Sequence, residues 1–155
     1  MIDSNGYREN VGIILTNPSG QVFWAKRRGQ DAWQFPQGGI DENESPLDAM
    51  YRELEEETGL LKQHVEVTGQ TDDWLRYSIP KHLQRTRSKP LCVGQKQIWF
   101  SLKLVGEESD VNLANSAKPE FDRWRWIDYW APLDDIIFFK RKVYKQALRE
   151  LEKYL

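Results

Sequence analysis

The chain has 155 residues, a mass of 18.3 kDa and a formal net charge of -2, so we expect one domain over residues 1–155. With 39% hydrophobic and 30% charged residues, the composition excludes wholesale disorder, and no apolar run approaches the ~18 residues of a membrane helix. Because the N-terminus does not resemble a secretory signal and Cys92 is the single cysteine, we expect a cytoplasmic protein with no membrane partner.

The N-terminal third of the chain predicts a β-hairpin followed by irregular structure. Two β-prone runs, 11–16 and 21–28, flank residues 17–20, whose Asn, Pro and Gly occupy the positions that a type I turn prefers. Between 28 and 44 the chain is rich in Gly, Gln and Asp. We therefore expect a loop or a strand edge there, and not a helix.

A helix is predicted next. Ser45 offers a hydroxyl cap, Pro46 suits the first helical position, and Gly59 is a typical stop, so the helix should end at Thr58. Its apolar face should consist of three residues at helical spacing: Leu47, Met50 and Leu54.

The second half of the chain predicts more strands and a closing helix. We expect strands over 65–68, 74–79, 97–105 and 124–127. In 97–105 apolar residues alternate with Trp99, Ser101 and Lys103, which predicts one buried and one mostly polar face. From Phe139 onward, apolar residues recur at helical spacing and predict an amphipathic helix. Strands interleaved with helices indicate an α/β or α+β fold with a mixed sheet.

The charges divide into two blocks. Residues 41–73 hold eleven acids and two bases, a net charge of -9, whereas 74–106 hold seven bases and no acid. Two differently charged solvated faces would explain this pattern. A phosphate-rich substrate would explain it as well, since acids bind the divalent cations that accompany phosphates and bases bind the phosphates.

Three glutamates of the predicted helix form the strongest candidate site. Glu53, Glu56 and Glu57 lie three and four positions apart, so their carboxylates share one side of the helix despite their mutual repulsion. A solvated acidic face is the alternative interpretation. Oxygen donors without nearby His or Cys favour a hard cation, Mg²⁺ or Mn²⁺.

These residues belong to a longer pattern that resembles the 23-residue box of the Nudix hydrolases. Gly38, Glu44 and the run from Arg52 to Leu60 occupy its defining positions without a departure. Blocks at 33–39, 74–77, 94–97 and 119–126 resemble the bacterial RNA pyrophosphohydrolase branch, which is close to the diadenosine polyphosphate hydrolases. Glu9 departs from that branch, where proline is expected.

The resemblance implies a fold and a set of site residues. It implies a Nudix fold, with a mixed central sheet between helices. Four residues are expected to have catalytic roles: Glu53, Glu56, Glu57 and Arg52. The metal ligands are expected to be the main-chain carbonyl of Gly38 and the side chains of Glu53, Glu56, Glu57 and Glu120. Arg52 should orient the carboxylates with support from Glu44, Glu120 is alternatively a base, and either Glu53 or Glu57 is the general base.

The same resemblance suggests substrate contacts, each of which is alternatively an ordinary surface side chain. Candidates for binding the polyphosphate are Arg8, Arg27, Tyr77, Gln95, Lys96 and Lys140. Phe139 is a candidate for stacking on the 5′-terminal base, and Arg85, Arg87 and Lys89 for meeting the following phosphates of single-stranded RNA.

The leading function is hydrolysis of the 5′-triphosphate end of single-stranded RNA to a monophosphate, which starts mRNA decay, with Mg²⁺, Mn²⁺ or another divalent cation as cofactor. The second hypothesis keeps the site and changes the substrate to a dinucleoside polyphosphate. The third hypothesis is a non-catalytic Nudix-fold binding module. Such a module would have no need of Glu53, Glu56 and Glu57 together.

Overall fold

The computed structural model describes residues 1–84 and 91–155, in which eight strands form one mixed sheet. The strands are β1 (Tyr7–Thr16), β2 (Val22–Arg27), β3 (Trp33–Gln34), β4 (Gln37–Gly39), β5 (Val65–Gln70), β6 (Leu75–Ser78), β7 (Gly94–Leu104) and β8 (Phe121–Ile127). The order β3-β2-β1-β7-β5 forms the main path, while β4 pairs with β1, β6 with β7 and β8 with β2.

The centre of the sheet is the pairing of β1 with β7. These strands run parallel over ten register pairs, from Tyr7 opposite Gly94 to Thr16 opposite Lys103. All other pairings are antiparallel, including the hairpin of β1 and β2, which confirms the prediction from the turn sequence. The N-terminal ends of β1 and β7 therefore lie side by side.

Helix α1 (Pro46–Thr58) has the predicted ends. The Asp48 N–H donates to Ser45 Oγ at 3.1 Å, and Gly59 has a left-handed φ of 76°, a conformation that glycine adopts without strain. The predicted apolar face is wrong at Leu47, which is 42% exposed because it lies in the first turn, before the buried stripe begins at Ala49.

The sheet lies between two helical layers, as expected from the sequence. On one face, α1 packs Ala49, Met50 and Leu54 into a cluster with Ile13 and other residues of β1 and β7. On the opposite face, α3 (Arg141–Leu151) packs five side chains against Trp24, Phe35 and Trp99: Val143, Tyr144, Ala147, Leu148 and Leu151. The prediction of an α/β fold with a mixed sheet between helices is confirmed.

The second helical layer corrects the prediction for β7. Trp99 and Ser101 are buried, so the strand has no mostly polar face. Trp99 packs edge-on against Tyr144 of α3, with ring centroids 5.2 Å apart, because α3 covers the face that the alternation pattern left to solvent.

The C-terminal region contains the predicted closing helix, with a later start. A short helix α2 (Pro132–Asp135) and a 3₁₀ turn (Phe138–Lys140) precede α3, which begins at Arg141. Within residues 1–84 and 91–155, no helix has both the length and the apolar character needed to cross a membrane.

Candidate active site

Two glutamates of α1 are buried against β4. Glu53 and Glu57 are one helical turn apart, and each is less than a tenth exposed. The Glu53 carboxyl group lies against Gly38, where an added Cβ would overlap it. A side chain at position 38 would therefore displace the Glu53 carboxylate from the backbone of β4.

The environment of this pair disfavours its negative charges. Burial raises the pKa of Glu53, although the neighbouring Arg52 counteracts this effect. Burial raises the pKa of Glu57 well above its ordinary value, and the charges of Glu53 and Glu120 raise it further. Glu57 Oε2 is also buried without a hydrogen-bond partner among the described residues. Unlike Glu53, which Arg52 contacts, Glu57 has no cationic partner among the described residues.

Arg52 connects α1 to the loop before it. Its Nε and Nη2 donate to the two carboxylate oxygens of Glu44 at 2.9 and 2.8 Å, and Nη2 also donates to Gly39 O at 2.8 Å. Its Nη1 donates to Glu53 Oε1 at 2.8 Å. Hydrogen bonds from Arg52 lower the pKa of Glu44 to about 2. The expected contact of Glu44 with Arg52 is thus present, and Arg52 holds one oxygen of Glu53 in place.

Glu56 lies at the edge of this arrangement. Its side chain is 52% exposed, with Oε2 3.6 Å from Arg52 Nη1. Over residues 1–84 and 91–155, no three His, Cys, Asp or Glu side chains converge into a ready-made metal site. The donors nevertheless fit a hard divalent cation, because a buried carboxylate pair with an unpartnered oxygen lies beside the bare backbone of Gly38.

A cavity of about 440 Å³ holds most of the predicted substrate contacts. Six of the seven candidates line it: Arg8, Arg27, Tyr77, Gln95, Phe139 and Lys140. Gln95 of β7 is the register partner of both Arg8 on β1 and Tyr77 on β6, so three neighbouring strands present these side chains at one level. Gln95 Oε1 is buried and has no hydrogen-bond partner among the described residues.

The cavity is cationic, and one of its residues, Arg27, contacts the carboxylate of Glu120. Arg27 Nη2 lies 3.7 Å from Glu120 Oε1, and the charge of Glu120 raises the pKa of Glu57. Lys140 lies over the Tyr77 ring, 5.7 Å from its centroid. Burial lowers the pKa of Lys140 to about 8, and the charge of Arg27 also lowers it. These cations, together with Arg8, make the cavity suited to a ligand with several negative charges.

Lys96, the seventh candidate, does not line the cavity. It follows Gln95 on β7, so its side chain points to the other face of the strand. There its Nζ is 3.0 Å from Asp3 Oδ2 and 3.9 Å from Glu9 Oε2, over the ring of Trp74. Its charge is already neutralised. The RNA contacts expected at Arg85, Arg87 and Lys89 lie outside the described residues.

The sequence reasoning did not identify two residues of this region. The side chain of Gln37 is close to Tyr77 and its backbone amide is close to Glu57, so Gln37 lies between the cavity and the carboxylates. Its position directly before Gly38 is the sequence feature that could have identified it. Cys92, which the sequence did not connect with the site, is partly exposed and lines the cavity.

Comparison with known proteins identifies the family. The NUDIX domain family matches residues 6–151. An "RNA pyrophosphohydrolase" of Thioalkalivibrio sulfidiphilus is 64% identical over 155 residues, covering 100% of this chain and 90% of that protein. One of Alkalilimnicola ehrlichii is 61% identical over 151 residues, covering 97% and 83%.

The fold is also found in solved structures. The E. coli dihydroneopterin triphosphate pyrophosphohydrolase superposes with a TM-score of 0.72 at 21% identity, covering 93% of this chain and 98% of that one. With a family match over nearly the whole chain and relatives above 60% identity, the chain belongs to the NUDIX domain family.

Proposed function

We propose that residues 1–155 form one Nudix domain that hydrolyses the 5′-triphosphate end of RNA. Water cleaves a phosphoric anhydride bond, and RNA with a 5′-monophosphate is the product. The observation that carries this proposal is a cationic cavity beside a buried carboxylate pair, with six predicted contacts on its walls. The relatives named RNA pyrophosphohydrolase, which align over nearly the whole chain, support RNA as the substrate.

In this proposal the cavity binds the 5′ polyphosphate. Arg8, Arg27 and Lys140 supply positive charge, while Tyr77 and Gln95 add hydrogen-bonding groups. Phe139 also lines the cavity and offers an aromatic ring for the 5′-terminal base. The basic residues Arg85, Arg87 and Lys89 remain our candidates for the following phosphates of single-stranded RNA.

Nudix hydrolases generally need divalent cations. We assign the cation to Glu53, Glu56, Glu57 and Glu120 with the Gly38 carbonyl, and Mg²⁺ is the preferred ion because all these donors are oxygens. When bound, the cation supplies Lewis-acid stabilisation of the negative charge on the phosphate oxygens.

The protein's own side chains position the reacting groups. Arg52 fixes Glu53 through the Nη1 to Oε1 hydrogen bond and is itself held by Glu44. Either Glu53 or Glu57 accepts the proton of the attacking water, whose oxygen forms the new bond to phosphorus as the anhydride bond breaks. Arg27 and Lys140 stabilise the charge on the departing phosphate oxygens.

The test compares two substrates at equal concentration with Mg²⁺ and the purified protein. One is a short RNA with a 5′ triphosphate, and the other is diadenosine tetraphosphate. We expect a higher kcat/KM for the RNA, with the 5′-monophosphorylated RNA as product. A preference for the dinucleotide would replace this proposal with nucleotide clearance, and hydrolysis of neither substrate would favour a binding module.

A further inference from the structure

Strand β8 contains a β-bulge at Asp122. Its register with β2 is regular from Ile127 opposite Val22 onward, and it shifts by one residue between Lys26 and Arg27. Asp122 is the extra residue of β8 at this shift and has no register partner on β2. Bulges of this kind redirect the neighbouring side chains, and they are frequent beside active sites.

The bulge decides which residue of β8 lies beside the end of β2. Beyond the bulge, the Arg28 N–H donates to Glu120 O at 2.9 Å. Without the shift, Phe121 would lie opposite Arg28, and Glu120 would lie one position further along the loop. The shift therefore brings Glu120 level with the end of β2, where Arg27 Nη2 is 3.7 Å from Glu120 Oε1.

The Asp122 side chain ties together the residues before and after this contact. Its two carboxylate oxygens accept from Lys26 Nζ at 3.0 and 3.1 Å, and Oδ2 also accepts from the Gly29 N–H at 3.2 Å. Lys26 precedes Arg27 directly and Gly29 follows it two positions later, so one carboxylate holds both ends of this segment. Among the described residues that line the cavity, Asp122 is absent, so any effect of it on a ligand there is indirect.

Stability alone is a weak explanation for these hydrogen bonds. The side chain of Asp122 is 38% exposed, and an ion pair so open to solvent contributes little to the free energy of folding. The bulge lies where the cationic cavity meets Glu120, because Arg27 lines the cavity and contacts that glutamate.

We propose that Asp122 is a positioning residue that holds Arg27 in the cavity beside Glu120. A fixed backbone at Arg27 reduces the conformational freedom that a bound ligand must restrict, and this strengthens binding. The inference rests on the proposed function, in which the cavity binds a polyphosphate, and it does not require that the polyphosphate belong to RNA.

The test is a double-mutant cycle between positions 122 and 27. Asp122→Ala removes the hydrogen bonds to Lys26 and Gly29, and Arg27→Met removes the cation that they position. The readout is the affinity for inorganic tripolyphosphate, measured by calorimetry without added metal ion so that no hydrolysis accompanies binding. We expect Asp122→Ala to weaken binding by about fivefold in the wild-type background and by less than about twofold in the Arg27→Met background.

The direction of the effect separates positioning from charge. Removal of a negative charge close to the cavity would by itself strengthen the binding of an anion, so weaker binding by Asp122→Ala reports the loss of its hydrogen bonds. If Asp122→Ala does not fold, Asp122→Asn tests the same cycle, because asparagine keeps the size of the side chain and one acceptor oxygen.

A matched control separates positioning from stability. Asn17 lies in the turn at the other end of β2, where its Oδ1 accepts from Ser19 N and Gln21 N at 3.0 Å each. Asn17→Ala therefore also releases a loop of β2, far along the strand from Arg27. It should lower the melting temperature and leave the affinity for tripolyphosphate unchanged.

Three results would overturn the inference. They are an equal loss of affinity in both backgrounds, no loss in the wild-type background, and no binding of tripolyphosphate by the wild-type protein. Failure of the proposed function is a different result, because RNA would then not be hydrolysed while the cycle still showed the dependence on Arg27.

Discussion

The carboxylate site and the cationic cavity are neighbours with different origins in the chain. Arg52, Glu53 and Glu57 lie on a single helix, and Gly38 and Glu44 come from the segment just before it. The cavity takes Arg8, Arg27, Tyr77, Gln95 and Lys140 from five separate segments. The first region is defined by spacing in the sequence, whereas the second exists only once the sheet has formed.

The largest effect is expected in the carboxylate site. Glu57→Gln should reduce kcat by about 10²–10⁴-fold, because the variant lacks both a carboxylate that we propose as a metal ligand and one candidate base. Unfolding should not become easier, since the substitution removes the repulsion between two buried carboxylates. Steady-state kinetics measure kcat, and thermal unfolding measures the stability of the variant. Glu55→Gln, on the exposed side of the same helix, is the matched control, and equal activities of the two variants would contradict the assignment.

A smaller effect on kcat is expected from a substitution of Glu44, which holds Arg52 in place. Glu44→Gln removes the negative charge that pairs with the Arg52 guanidinium. Arg52 should then hold Glu53 less firmly, and kcat should fall by about tenfold. The pKa of Glu44 is lowered to about 2, so the stabilisation it provides is present above its unfolded pKa and is lost only as pH falls toward 2. Activity assays at neutral pH therefore measure the full effect. An unchanged kcat would show that Arg52 needs no such support.

In the cavity, the effect should fall on substrate binding. Lys140→Met should raise KM for triphosphorylated RNA by about tenfold and change kcat less, because it removes a cavity cation that we propose as a polyphosphate contact. Lys96→Met is the control on the other face of β7, where the lysine is already paired with Asp3. We expect it to change KM by less than about twofold. Equal effects of the two variants would mean that the cavity is not the binding site.

The smallest effect concerns pH. Burial lowers the pKa of Lys140 to about 8, so this lysine is charged at pH 7 and neutral at pH 9. The kcat/KM of the wild type should therefore fall relative to that of Lys140→Arg as pH rises through about 8, because arginine stays charged. Parallel pH profiles would contradict this expectation. The stability of the fold should change in the opposite direction and rise with pH. Burial of the charged lysine costs free energy below pH of about 8, and this cost disappears as pH rises toward 10.5, the ordinary pKa of lysine.

The sequence predicted the local elements well because their signals are local. Ser45 and Gly59 define the ends of α1, and the hairpin follows from its turn. The second buried face of β7 was not predictable from alternation, because it depends on α3, whose Tyr144 packs on Trp99 from 45 positions further along the chain. Leu47 shows the reverse case, an apolar residue at the correct spacing that the tertiary structure leaves exposed.

Of the candidate site, the residues of the box were predictable as a group because helical spacing places them together. Lys96 and Lys140 show the limit of this reasoning. Both are basic residues that the resemblance suggested as substrate contacts. Only the pleat of β7 and the pairing with Asp3 decide that Lys96 points away from the cavity. The roles of these residues in catalysis and binding stay predictions until the variants above are measured.

The parallel pairing of β1 with β7 also affects how the protein acquires its site during synthesis. Its register partners are separated by 87 positions, so the centre of the sheet must wait for residues near Leu104 to leave the ribosome. Helix α1 is complete in the nascent chain long before that point. A chain arrested before β7 therefore holds the carboxylates without the cationic cavity. The late strand thus separates the appearance of the acidic helix from the onset of hydrolysis.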